Sequence, residues 1–180
     1  MEKDLSEMTL EELWALFPIF LVAHDGRWKD SFHAIEKTLS GLFPDPSVVR
    51  ISHIGSTAIQ GIWAKNIVDV MVEIPQSAGM KAMAQILEQN GFIIMSSGAK
   101  RISLNQGYTE NGFADKVYHI HLRYAGDNDE LYFRDYMNEH PVMAKEYEAL
   151  KLRLWKQYEH NRDAYTKAKT DFVSKWTAVA

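Results

Sequence analysis

The spacing of hydrophobic residues divides the chain into three parts. Apolar positions recur every three or four residues before residue 47, follow strand-like patterns from 47 to 126, and return to helical spacing from 127 to 180. This order predicts an α+β fold with a small mixed β-sheet, flanked by N-terminal helices and a C-terminal helical region. We expect one domain over residues 1–180, made of a helical arm (1–46), an α/β core (47–126) and C-terminal helices (127–180).

Local signals place the individual elements. Thr9 and Glu12 have the spacing of a capping box, and the next helix carries one apolar stripe formed by Trp28, Phe32, Ile35 and Leu39. Strands are predicted over 48–54, 67–74, 92–95, 101–105 and 116–124, with a hairpin loop over 106–115. Helices are predicted over 76–90, with Ser77 as its cap, over 129–139, from Pro141, and from a cap at Asn161.

Composition narrows the class of protein. The 180 residues include no cysteine, which excludes disulfides and thiolate metal ligands. No apolar run approaches the length of a membrane span, and the acidic N-terminus lacks the layout of a signal peptide. We therefore expect a soluble, cytoplasmic protein without a membrane partner.

The charge is unevenly distributed along the chain. A net charge of −4 gives no strong signal for nucleic-acid binding. Residues 1–40 hold four Lys/Arg and eight Asp/Glu, whereas residues 141–180 hold eight Lys/Arg and five Asp/Glu. The basic segment suits either contacts with phosphates or the solvated sides of amphipathic helices, and its alternating signs favour the solvated helices.

The stretch HIGSTAIQGIWAKNIVDVMVE, residues 53–73, places an aspartate within an apolar run. Side chains alternate along a strand, so Asp69, Met71 and Glu73 share one face and the valines share the other. Burying a carboxylate without a partner is costly. We therefore expect the valine face in the core and the Asp69 face at a cleft.

Gly55 and Ser56 follow the preceding strand at a predicted turn. Free backbone N–H groups and the Ser56 hydroxyl suit a phosphate there. A carboxylate beside a phosphate predicts a divalent cation between them, because Mg²⁺ prefers oxygen ligands. The alternative is an ordinary turn and a strand aspartate that is only hydrogen-bonded.

His119 and His121 form a second candidate constellation. On one strand both imidazoles share a face, about 6.6 Å apart along the chain. Together with Asp69 they suit a site of two histidines and one carboxylate. The alternative is two ordinary strand residues with one hydrogen bond each. Lys65 and Arg101 are candidates to neutralise phosphates.

The segments HIGSTAIQGIWAKNIVDVMVEI, HIHL and YFRDYMNEHPVMAKEYEALKLRL resemble the GrpB family, which is related to the nucleotidyltransferase superfamily. The resemblance covers nearly the whole chain, from about residue 13 to 172. It implies a nucleotidyltransferase-like core in which a Gly-Ser pair holds a triphosphate and strand carboxylates bind two metal ions. Carried onto this chain, it implies phosphate contacts from Gly55, Ser56 and Thr57, and it makes Asp69 the first carboxylate.

The chain departs from the superfamily pattern at Met71, where the second carboxylate is expected. Three readings follow. The first is a nucleotidyl or phosphoryl transferase using Mg²⁺ or Mn²⁺, with Asp69, His119 and His121 as metal ligands and Asp69 and His121 as catalytic residues. The second is a nucleotide-binding or sensing module without turnover. The third is a His/Asp metal-dependent hydrolase. The expected partner is a nucleotide or another phosphorylated small molecule.

Overall fold

The structure is a computed structural model that describes residues 3–180; residues 1 and 2, the start of the predicted helical arm, lie outside this range. Its helices are α1 (Leu10–Leu16), α2 (Arg27–Leu42), α3 (Met80–Gln89), α4 (Asp129–Glu139), α5 (Pro141–Tyr158) and α6 (Arg162–Val179). Its strands are β1 (Leu21–Val22), β2 (Arg50–Ile54), β3 (Ala64–Lys65), β4 (Val68–Ile74), β5 (Ile93–Ser97), β6 (Arg101–Thr109) and β7 (Gly112–Tyr124).

Five strands form one mixed sheet in the order β2-β4-β7-β6-β5. The two central strands, β4 and β7, run parallel, and every other neighbouring pair is antiparallel. The short strands β1 and β3 pair separately. The predicted α+β class with a mixed sheet is therefore confirmed.

Helices α2 and α3 cover one face of this sheet. The predicted α2 stripe is buried, and it packs on the inward side chains Val68, Val70 and Val72 of β4. Met80, Met83, Ala84 and Leu87 of α3 complete the same core. The segment expected as a helical arm thus supplies part of the main core.

Most predicted helix ends are correct. Thr9 and Glu12 form the capping box, Pro141 opens α5, and the Asn161 side chain accepts a hydrogen bond from the Ala164 N–H. Helix α3 begins later than predicted, and Ser77 does not cap it. The Ala78 N–H instead bonds to the Pro75 carbonyl, so a turn occupies the residues expected to begin the helix.

The predicted hairpin loop over 106–115 is mostly strand, because β6 and β7 continue to a tight turn after Thr109. A bulge interrupts the pairing at Gly107, where φ is 94°. A Cβ at Gly107 would lie 2.3 Å from the Lys116 carbonyl oxygen, so this close approach requires glycine. The longer hairpin carries Tyr108 to the side of His119.

The second face of the sheet is open only in part. The Asp69 side chain is partly exposed, but Met71 is fully buried against Ile54 and Leu131. Glu73 is also buried, and its carboxylate accepts hydrogen bonds from Arg50 Nε at 2.5 Å and Asn128 Nδ2 at 2.9 Å. The prediction that this whole face meets a cleft is wrong beyond Asp69, because Leu131 of α4 covers Met71 and the side chains of Arg50 and Asn128 engage Glu73.

Helices α4, α5 and α6 surround the segment that follows the Gly55 turn. Ile59 and Ile62 are fully buried against Met137 of α4 and Tyr147 of α5, with Phe172 of α6 beside them. This second core joins the sheet to the C-terminal helices. Among the described residues, no helix combines the length and the apolar character that crossing a bilayer requires.

Replacing Met71 tests whether a second carboxylate fits the sheet. We expect Met71→Asp to lower the free energy of unfolding by about 3 kcal/mol or more, because it buries a charge that has no partner. Chemical denaturation measures this loss. Met71→Leu, which conserves apolar volume, should cost less than about 1.5 kcal/mol. Equal stability of the two variants would show that position 71 reaches solvent.

Candidate functional site

The turn after β2 faces Asp69. Gly55 has a φ of 73°, which favours glycine, and Ser56–Ala58 form one 3₁₀ turn after it. A Cβ on Gly55 would lie only 2.6 Å from the Asp69 Oδ2 atom. The carboxylate therefore points at the Gly55 turn, and the absence of a side chain there makes room for it.

Both predicted histidines lie beside the same carboxylate oxygen. His121 Nε2 is 3.0 Å from Asp69 Oδ1 and donates a hydrogen bond to it, and His119 Nδ1 is 3.4 Å from that oxygen. The strand register explains this, because His119 is paired with Asp69 across β4 and β7 and His121 follows two residues later on the same face. The structure thus brings Gly55, Asp69, His119 and His121 together.

The two imidazoles keep the carboxylate charged. Burial on its own would raise the pKa of Asp69, but the hydrogen bonds from His119 and His121 outweigh it and hold that pKa far below its usual range. Burial lowers the pKa of His119, against the opposing effect of Asp69. The site therefore presents an ionised carboxylate at neutral pH.

Tyr108 is a member of the site that the sequence did not reveal. Its hydroxyl lies 2.8 Å from His119 Nε2, and its ring stacks on the imidazole. When His119 Nδ1–H points at Asp69, Nε2 accepts from the Tyr108 O–H, so the three side chains form one chain of polar contacts. Phe17 and Phe113 pack around the Tyr108 ring.

Ser56 and Thr57 point to different sides of their turn. Ser56 is half-buried, and its hydroxyl lies 3.5 Å from the Tyr147 hydroxyl of α5. Thr57 is buried and its hydroxyl lies 2.9 Å from His53 Nε2, next to a separate recess of about 440 Å³. Burial lowers the pKa of His53 to about 4, so this imidazole is neutral. Ser56, rather than Thr57, therefore has its hydroxyl on the side of the C-terminal helices.

Side chains of α4 and α5 hold the irregular segment 53–63 by its backbone. Arg134 Nη1 donates to the His53 carbonyl at 2.9 Å, and Asn138 binds the Ala58 carbonyl and the Gln60 N–H. On α5, the side chains of Lys145, Glu148 and Lys151 bind backbone groups of Gly61 and Trp63. Because this segment lacks a regular partner strand over most of its length, these contacts satisfy its backbone groups. Arg134 also forms an ion pair with its neighbour Asp135.

Lys65 lies near the site and close to Lys169 and Arg162, two cations of the basic segment that was expected to be solvated. Its pKa falls to about 7, first because burial removes hydration and then because Lys169 and Arg162 are close. Asp69 opposes this shift. Lys151, in the same basic segment, is 1% exposed. The expectation that this segment forms the solvated sides of helices is therefore wrong at Lys151.

Arg101 lies away from this cleft. It pairs across β6 and β7 with Arg123, four residues beyond the His119 position, and its guanidinium forms an ion pair with Asp127. Four strand residues correspond to about 13 Å. The prediction that Arg101 joins Lys65 at a phosphate does not agree with this placement, because the side chain is engaged at the other end of the strand.

The residue types suit a cation only in part. One carboxylate and two imidazoles are metal-ligating groups, and Asp69 is ionised. Within residues 3–180, however, no group of three or more His, Asp or Glu side chains is arranged to hold a metal ion. Mg²⁺ often binds through one or two carboxylates plus the phosphates of a substrate. The donors therefore fit a cation that a phosphorylated ligand helps to bind.

Most of the chain is similar in sequence to known proteins. Residues 18–178 match the family model described as GrpB protein. The glutamate-rich protein GrpB of Alkalihalophilus pseudofirmus is 33% identical over 163 residues, covering 87% of this chain and 92% of that protein. The chain belongs to the GrpB family. It is also 27% identical to the protein YqkA of Bacillus subtilis, but it spans only 48% of that longer relative.

Solved structures support the nucleotidyltransferase type of fold. GrpB from Enterococcus faecalis superposes with a TM-score of 0.77 at 22% identity, over 89% of this chain and 96% of that one. The poly(U) polymerase Cid1 with Mg 3'-dATP bound gives a TM-score of 0.53 at 11% identity, over 88% of this chain and 51% of Cid1. At these identities the likeness concerns the fold alone, and it confirms the fold implied by the resemblance to GrpB.

Gly55 provides a test of the contact with Asp69 in this GrpB-family chain. We expect Gly55→Ala to cost roughly 2 kcal/mol or more of unfolding free energy, because it adds the positive-φ penalty to a clash with the carboxylate. Gly61→Ala is a matched control, since Gly61 has a φ of 71° but open space at its Cβ position. Chemical denaturation of both variants measures the difference. Equal losses would show that Asp69 does not press on the turn.

The lowered pKa of Lys65 predicts a pH-dependent stability. The unfolded chain keeps a lysine proton up to about pH 10, whereas folded Lys65 loses it near pH 7, so the free energy of unfolding rises with pH between these values. The groups facing Lys65 are Lys169, Arg162, Lys151, Asp69 and the Tyr165 ring. We expect thermal denaturation to show a steeper rise from pH 7 to 9 in the wild type than in Lys65→Met. Parallel profiles would contradict the shift.

Proposed function

We propose that this chain binds a nucleotide, or another phosphorylated small molecule, together with Mg²⁺ or Mn²⁺, and transfers a nucleotidyl or phosphoryl group. The observation that carries the proposal is the ionised Asp69 carboxylate that points directly at the Gly55 turn. A carboxylate and a turn with the half-buried Ser56 hydroxyl are the two halves of a site for a metal-bound phosphate. The fold shared with Cid1, which has been solved with Mg 3'-dATP bound, supports this assignment.

Asp69 is the residue to hold the cation, whereas His119 and His121, expected as further ligands, instead lie against or bond to one of its carboxylate oxygens. When bound, the cation would offset the charge of the phosphate oxygens. Ser56 and the backbone of the Gly55 turn would bind those oxygens, and Lys65 would add positive charge nearby. Since one carboxylate is too few donors for a closed metal site, the phosphate itself completes the set.

His121 is the candidate for moving a proton. Its Nε2–H donates to Asp69, so Nδ1 is the ring nitrogen left to take up a proton. In this role Nδ1 would accept the proton of an attacking hydroxyl, while Asp69 holds the imidazole in the required tautomer. His119 is engaged on both sides, by Asp69 and Tyr108, and is suited to holding the carboxylate in place.

A second candidate function is a nucleotide-binding or sensing module without turnover. Met71 favours it, because the position expected to carry the second carboxylate is fully buried among apolar side chains. Glu73 does not replace that carboxylate, since it is buried and bonded to Arg50 and Asn128. The same ligand would bind in both cases, and only product formation separates them.

A thermal-shift panel tests the proposal. Nucleoside triphosphates with Mg²⁺ or Mn²⁺, present at about 100 times their Kd, should raise the Tm by roughly 5 °C or more. The shift should require the metal and the nucleotide together and should disappear in Asp69→Asn. Asp115→Asn is the matched control, because it removes one exposed carboxylate from β7. A metal-dependent shift that survives in Asp69→Asn would contradict the assignment.

Product analysis then separates the candidates. Release of pyrophosphate indicates nucleotidyl transfer, a nucleoside diphosphate indicates phosphoryl transfer, and either should be lost in His121→Ala. Binding without product supports the sensing module. Stabilisation by Mn²⁺ or Zn²⁺ alone, lost in His121→Ala, would instead favour the metal-dependent hydrolase.

A further inference from the structure

Four cationic side chains from three elements gather beside the site. Lys65 lies on β3, Lys151 on α5, and Arg162 and Lys169 on α6. The Lys65 and Lys169 ammonium groups lie 5.5 and 4.6 Å from the centre of the same Tyr165 ring. Tyr165 is fully buried, so it fixes these two cations next to each other.

Lys151 connects this group to the Gly55 turn. Its ammonium donates to the Trp63 carbonyl at 2.5 Å and lies 4.8 Å from the centre of the Tyr147 ring. The Tyr147 hydroxyl is in turn 3.5 Å from Ser56 Oγ. A charged side chain that is almost completely buried is therefore placed beside the predicted phosphate turn.

Arg162 connects the group to the carboxylate. Its guanidinium carbon lies 5.9 Å from the centre of the Tyr108 ring, and Tyr108 contacts His119 and through it Asp69. The four cations thus extend from the Ser56 side of the cleft to the His119 side.

The four cations have no paired counter-charge. Among residues 3–180, none of them forms an ion pair with a carboxylate, although seven Lys or Arg ion pairs exist elsewhere. Asp69 near Lys65 and Glu148 near Lys151 offset the positive charge only in part. Cations brought together without anions repel each other and lose hydration. The pKa of Lys151 accordingly falls well below its usual value, through burial first and the charge of Lys169 second. An anionic ligand would remove both costs.

We infer that Lys65, Arg162 and Lys169 bind a chain of two or more phosphates, with the buried Lys151 behind them, so that the C-terminal helices supply most of the charge that selects the ligand. A single phosphate carries at most about two negative charges near neutral pH and would leave part of the cluster uncompensated. A di- or triphosphate carries more charge over a greater length. The placement of this phosphate chain next to Asp69 rests on the proposed function, whereas the affinity of the cation cluster for polyphosphate does not.

Inorganic tripolyphosphate is the probe, with orthophosphate for comparison and without added metal. Isothermal titration calorimetry of the wild type should show about tenfold tighter binding of tripolyphosphate. Lys169→Gln and Arg162→Gln should each weaken that binding about tenfold, since each removes a charge-assisted hydrogen bond. Lys167→Gln on α6 is the matched control, because Lys167 is exposed, and its affinity should stay within about twofold of wild type.

Equal affinity for the two anions in the wild type, or equal losses in Lys167→Gln and Lys169→Gln, would overturn the inference. The comparison of anions needs no variant, so a misfolded substitution does not prevent the test. Asp69→Asn should still bind tripolyphosphate. If nucleotide binding shows no dependence on Asp69 while tripolyphosphate binding depends on Lys169, the proposed transferase fails and the polyphosphate site stands. If nucleotide binding depends on Asp69 while tripolyphosphate binding does not depend on Lys169, only the polyphosphate site fails.

Discussion

An ionised carboxylate on the face of a sheet needs donors around it, and the arrangement at Asp69 meets that requirement. Two imidazoles on the adjacent parallel strand donate to, or lie against, one oxygen, and a glycine leaves room for the other. The pairing of β4 with β7 sets the first relation, and the backbone conformation of Gly55 sets the second. Without either, the Asp69 carboxylate would lose its negative charge or would point away from Gly55.

The turn itself depends on the C-terminal helices. Segment 53–63 has little regular structure of its own, and Arg134, Asn138 and Lys151 bind its carbonyl groups. Helix α5, which supplies Lys151, also carries Tyr147, and α6 carries Arg162 and Lys169 near the cleft. Support of the turn and electrostatic complementarity to an anion therefore come from the same part of the chain, and Lys151 serves both.

The periodicity of the sequence predicted the features that depend only on neighbouring residues. The alternation in β4 and in HIHL identified Asp69, His119 and His121, and the turn residues identified Gly55, because each depends only on neighbours in sequence. The burial of Met71 and Glu73 was missed because distant parts of the chain contact them, Leu131 of α4 at Met71 and Asn128, just before α4, at Glu73. Tyr108 was missed because the residues around it are typical of a loop, whereas a bulge at Gly107 keeps them in the hairpin.

Three of the four cations, Lys151, Arg162 and Lys169, come from residues 141–180, and this has a consequence for biosynthesis. Asp69 and its strand partner His119 lie 50 positions apart, and Lys169 follows a further 50 positions later. A ribosome would therefore expose the carboxylate, then the histidines, and finally α6, so the complete cleft arises only after α6 has emerged. A prematurely terminated product lacking α6 would retain Asp69, Lys65 and Lys151 but would lose the positive charges of Arg162 and Lys169.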